Sequence, residues 1–152
     1  MIVEEASFNN IYYKLSSILG NENLSNQMSS PLDFISVASL GISSRAIDSF
    51  RKYFNFPRNF VAAILNVSEP TIYRWIKSNK TLDRNTAVQL LELSYLFING
   101  AEVFSNSDSF FKWLHLPNLA LGGMMPKDLL DIPDGVSKVR DLLGRIEYGV
   151  YS

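Results

Sequence analysis

The chain has 152 residues, enough for one domain or two small ones, and 47% of them are apolar, which suits a packed core and excludes a disordered chain. It has no cysteine, which removes disulfides, thiol catalysis and Cys-ligated zinc and fits a reducing compartment. The net charge of −1 hides a pattern: residues 1–44 hold one Lys against four acids, residues 45–84 eight Lys and Arg against three acids, and residues 85–152 five against eight. A basic block between two acidic ones is a partner signal, because the local charge sets the field that an approaching polyanion feels. No apolar run approaches the ~20 residues of a membrane span. The opening MIVEEASFNN has neither the basic nor the apolar part of a secretory signal. A soluble cytoplasmic protein without a membrane partner is expected.

In chain order, FNNIYYKLSSIL at 8–19 places Phe8, Ile11, Tyr12, Leu15 and Leu19 at helical spacing, and Gly20 ends that helix. NENLSNQMSS reads as loop. Pro31 opens a second helix over 31–40 with Phe34, Ile35 and Val37 or Ala38 inward, ended by Gly41. Ser43 or Ser44 caps a third, RAIDSFRKYF. Three more helical patterns run to Phe104. The last of them, from about Asp83, carries Ala87, Leu90, Leu91, Phe97, Ile98, Ala101 and Phe104 in one stripe. FSNSDS is a linker with Ser107 as N-cap, followed by a short helix to about Leu116. Pro117-Asn118 reads as a turn, Gly122-Gly123 as a flexible break, Pro126 as the start of a short helix, and Asp134-Gly135 as a turn before the last helix. That helix has Val136, Val139, Leu142, Leu143 and Ile146 on its apolar face. No strand alternation and no repeat is found. The chain reads as all-α: an N-terminal helical segment over 1–41, a DNA-binding unit over 42–105 and a small helical unit over 106–152.

Within the basic block, NFVAAILNVSEPTIYRWIK at 59–77 has the layout of a helix-turn-helix. Ala62 is the small residue where two helices cross, and Asn66 sits at the turn position that needs positive φ. Val67 is the buried turn residue, Ser68 caps the second helix, and Pro70 falls in its first turn, where its missing N–H costs nothing. With Ile72 and Trp75 or Ile76 inward, Glu69, Thr71, Tyr73, Arg74, Lys77 and Ser78 face out, with Lys80 and Arg84 just beyond. In this arrangement the second helix enters the major groove, its early residues reach base edges, and its Lys and Arg grip phosphate. The plainer reading is an αα-hairpin that only packs. The pattern resembles the Xre-type helix-turn-helix regulators. Such a unit covers one half-site, so a homodimer is expected, joined through the N-terminal helices or the long helix over 83–104.

The last third contains WL at 113–114, then PN-x-ALGG-x-x-P-x-DLL from Pro117, then G-x-x-x-V-x-x-LLGRIEYGV from Gly135. These runs closely resemble the toxin-binding domain of Xre/MbcA/ParS antitoxins. The resemblance implies the antitoxin of a RES–Xre toxin–antitoxin pair. Such an antitoxin binds a RES-type toxin that acts on NAD, covers its active site and represses the shared operon. The candidate toxin-binding residues are Arg140, Leu143, Gly144, Arg145, Ile146, Glu147, Tyr148, Gly149 and Tyr151. Tyr and Arg are the residues that dominate protein interfaces. The alternative for the tyrosines is that they fold back onto their own domain.

Other chemistry is sparse. His115 stands alone between leucines, so a structural role outweighs a catalytic one. Asp128, Asp131 and Asp134 do not have calcium-loop spacing, and turn capping accounts for them. No nucleophile–base pair or phosphate loop is present, and no enzyme activity, cofactor or metal is expected. A plain transcriptional regulator, whose C-terminal unit dimerises or binds another partner, is the alternative to an antitoxin.

Overall fold

The computed structural model describes residues 2–21 and 23–149, with the backbone alone for residues 2–10. Among them the chain forms α1 (Ile2–Leu19), α2 (Phe34–Leu40), α3 (Arg45–Phe54), α4 (Arg58–Leu65), α5 (Glu69–Ser78), α6 (Arg84–Val103), α7 (Ser107–Leu114) and α8 (Pro133–Glu147). Short 3₁₀ turns lie at Leu24–Gln27, Pro31–Asp33, Leu119–Leu121 and Pro126–Leu129. The described residues contain no strand, only an isolated antiparallel bridge between Ser43 and Thr81. The all-α expectation holds.

Three local expectations are corrected. Pro31 opens a 3₁₀ turn, and α2 itself begins only at Phe34. Ser30 and Asp33 form a capping box around that turn: Ser30 Oγ accepts from Leu32 N at 3.2 Å, and Asp33 accepts from Ser29 N at 2.8 Å and Ser30 N at 3.2 Å. Those backbone donors hold the Asp33 carboxyl below its ordinary pKa. From this start Phe34, Val37 and Ala38 share the buried face, and Ile35, one step round the helix, is exposed. The cap of α7 is Asn106, not Ser107: its side chain accepts from Ser109 N at 2.7 Å. Asp134-Gly135 is not a turn but lies inside the first turn of α8, which Pro133 opens. Gly135 is there because a Cβ would stand 1.7 Å from the Leu129 carbonyl oxygen. The helix therefore sits directly on the 126–129 turn.

The long helix α6 is the hub. It packs against α8, α2, α7 and α1. Its expected stripe is in place at Ala87, Leu90, Leu91, Phe97 and Ile98, with Ala101 and Phe104 half-buried. Leu93, Ser94 and Leu96 are buried as well, so α6 is enclosed around most of its circumference. One cluster of buried side chains runs from Tyr12 to Leu143 and takes residues from all three segments of the chain. Burial, with the nearby Tyr95 and Asp33 charges, pushes the Tyr12 hydroxyl up to about 12, so it stays neutral. Gln89 of α6 is also buried. Its Nε2 donates to the Ile64 carbonyl at 3.3 Å and the Leu130 carbonyl at 2.7 Å, tying the end of α4 to the turn beneath α8.

Candidate functional site

Helices α4 and α5 form the helix pair read from the sequence, and its local geometry follows the residue types. Asn66 adopts φ 55°, ψ 44°, the left-handed conformation that Asn tolerates better than other side-chain-bearing residues. Its N–H donates to Ala63 O at 3.2 Å, and Val67 N to Ala62 O at 3.1 Å, closing the end of α4. Ser68 Oγ accepts from Thr71 N at 3.3 Å, and Pro70 lies in the first turn of α5. Ala62 and Ile72 are buried, and Val67, Trp75 and Ile76 are half-buried against the core.

The outward face of α5 brings together Glu69, Tyr73, Arg74, Lys77 and Ser78, all exposed. Thr71 is half-buried; its Oγ1 bonds Ser68 Oγ at 2.8 Å and accepts from the Arg74 guanidinium at 3.1 Å. Arg74 is thereby aligned along the helix. Among the described residues Arg74, Lys77, Lys80 and Arg84 make no salt bridge, and all four are exposed; Lys80 acts on the nearby Asp83 carboxyl. Lys80 lies 4.8 Å from the Trp75 ring centroid, which steadies its stem. Arg84 opens α6, whose cap is Asp83 Oδ1 accepting from Thr86 N at 2.7 Å. That bond lowers the Asp83 pKa.

One basic residue was missed. The Ser43–Thr81 bridge, with Ser44 N donating to Lys80 O at 2.7 Å and Leu82 N to Ile42 O at 2.8 Å, sets the segment carrying Arg45 beside that carrying Lys80 and Arg84. Arg45 is exposed. It counted toward the basic block, but nothing in its own spacing pointed to the bridge. Ser44 holds the N-cap position of α3 without a side-chain cap bond, its Oγ donating to Trp75 O at 2.7 Å, while Ser43 Oγ accepts from Arg45 N at 3.1 Å.

The C-terminal candidates divide. Leu143 is a core residue at 2% exposure, and Arg140 is half-buried, ion-paired with Glu92 and 5.5 Å from the Tyr95 ring centroid. Arg145 and Glu147 are exposed, and Gly144 and Ile146 are half-buried. Tyr148 is 82% exposed, so it does not fold back onto its own domain. Tyr148 N donates to Gly144 O at 3.2 Å, and Gly149 turns the backbone at φ 73°. Tyr151 lies outside the described residues.

His115 packs on the Phe60 and Phe111 rings, and its Nδ1 is 2.8 Å from the Phe111 carbonyl, a structural setting. Asp128 and Asp134 pair with Lys127 at 3.0 Å and Lys138 at 2.7 Å, where turn capping was expected. No described helix is long and apolar enough to cross a membrane.

Residues 99–149 match the family described as the antitoxin Xre/MbcA/ParS C-terminal toxin-binding domain. The chain is 26% identical over 132 residues to the Prs ADP-ribosylating antitoxin of Sphingobium sp. strain YBL2, covering 81% of this chain and 83% of that protein. It is 20% identical over 113 residues to antitoxin Xre of Photorhabdus laumondii subsp. laumondii, covering 74% and 76%. The matched segment runs from the end of α6 through α8, and together with the all-α build these similarities support an antitoxin of the Xre/MbcA/ParS type.

Proposed function

We propose that the chain neutralises a RES-type, NAD-targeting toxin through its C-terminal unit and represses its own operon through α4 and α5, acting as a homodimer. The observation that carries this reading is the placement of the exposed Arg145, Glu147, Tyr148 and Gly149 at the end of a helix whose other face is core, inside the segment that matches a toxin-binding domain. Arg145 suits a bidentate contact with a carboxylate, and Tyr148 fills an apolar slot on the toxin while its hydroxyl donates a hydrogen bond. The exposed Arg74, Lys77, Lys80 and Arg84, none of them in a salt bridge among the described residues, support DNA binding, because surface cations are what displaces counterions from phosphate. A helix-turn-helix reads one half-site, so two copies are needed for a two-fold operator. The enclosure of α6 favours the N-terminal helices over α6 as the join between them.

The test is co-expression with the product of the reading frame adjoining this chain's gene. Joint purification, rescue of growth and a salt-sensitive shift of the upstream promoter are expected. A chain that shifts the promoter but neither binds nor neutralises that product is a plain regulator.

A further inference from the structure

The loop between α7 and α8 holds an apolar display that the fold itself does not use. Leu119 is 94% exposed, and Leu116 and Met124 near it are 58% and 46% exposed. The backbone under them is closed into a ring. Asn118 N donates to Met124 O at 3.0 Å, Gly123 N to Asn118 O at 2.9 Å, and Leu121 N to Asn118 O at 3.0 Å. The Asn118 side chain accepts from Ala120 N at 2.9 Å. Gly122 and Gly123, at φ 67° and 87°, supply the two left-handed residues the ring needs. From Trp113 to Pro126 the sequence has no Lys, Arg, Asp or Glu.

A leucine held out in water by a fixed backbone gains nothing for folding. It is already ordered for a partner, and preorganisation lowers the entropy lost on binding. We propose that this ring is a second toxin contact, separate in sequence from the Arg145–Gly149 run, with Leu119 as the anchor that enters an uncharged apolar dent on the toxin. The inference rests on the toxin-binding reading above. The occupant is the toxin because the ring lies wholly inside residues 99–149, the segment that matches a toxin-binding domain. DNA does not fit, because the ring offers no cation.

Full-length parent, Leu119→Ala, Leu119→Asp and Tyr148→Ala chains are titrated against the purified product of the adjoining reading frame. Each is also tested for promoter binding, thermal unfolding and mass by light scattering. Leu119→Asp is expected to weaken toxin affinity about thirtyfold, the mark of an interface hot spot, with Leu119→Ala intermediate. Promoter binding and unfolding stay at parental values, since the side chain touches little of its own fold. Tyr148→Ala weakened with Leu119→Asp at parental affinity overturns the second contact and leaves the toxin reading standing. Parental toxin affinity together with loss of self-association in Leu119→Asp assigns the ring to a second copy of this chain and also overturns it. A parent chain that fails to bind overturns the toxin reading itself.

Discussion

The outward face of α5 and the far end of α8 present similar residues, aromatic and cationic, yet they are held in different ways. The α5 face is fixed by signals within a few residues of it: the left-handed Asn66, the Ser68 cap and Pro70 in the first turn. The end of α8 is what remains of a core helix after the core is filled. Val139 and Leu143 are buried, and Arg145 and Tyr148, two and five residues past Leu143, stand in water. A surface defined by local signals tolerates change elsewhere. A surface carried on a core helix depends on that helix staying seated.

The strongest way to break the comparison lies within α8. Leu143→Ala empties a fully enclosed site and is expected to cost about 2–5 kcal/mol of stability, while Tyr148→Ala stays within about 0.5 kcal/mol. Denaturant unfolding of the two variants measures this. Equal loss would mean that the two residues do not divide between core and surface. On α5, Arg74→Ala and Lys77→Ala are expected to leave the fold intact and to weaken promoter binding. Each lost phosphate contact lowers the slope of log affinity against log salt by about 0.9. A salt titration of promoter shift checks it, and unchanged slopes in both would remove α5 from the DNA.

The smallest expected effect concerns the cap that seats α6 behind the helix pair. Asp83→Ala should cost about 1 kcal/mol at neutral pH, in the range for loss of an N-cap. The Asp83 carboxyl titrates below its ordinary 3.8 in the folded chain because Thr86 donates to it. Its contribution is thus full above that pH and is lost as the pH falls through the lowered value. The gap between parent and variant should close in acid. A gap that stays constant down to pH 2 would mean that the charged form plays no part.

Much of this was legible in the sequence, for a physical reason. Caps, left-handed turn residues and Pro at a helix start act within one turn of chain, and every such signal in 59–77 is found in the role assigned to it. Long-range packing is not written that way. Ile35 looked inward until the 3₁₀ turn at Pro31–Asp33 set where α2 begins. Asp134-Gly135 looked like a turn because its glycine serves a contact with Leu129, out of reach of local pattern. Leu143 and Arg140 read as interface residues from their neighbours in sequence, yet one is core and the other is held by Glu92. Leu119 went unremarked, since the ring that displays it closes only through bonds from Asn118 to Met124 and Gly123.

The central claim is that partner binding and DNA binding reside on separable surfaces. It is tested most directly by the Arg145→Ala/Tyr148→Ala double variant, assayed in parallel for promoter shift and for growth rescue against the product of the adjoining reading frame. Both side chains are exposed, so the fold is expected to survive the change. The expected result is a promoter shift equal to the parent's and no rescue. Full rescue by the double variant would contradict the account.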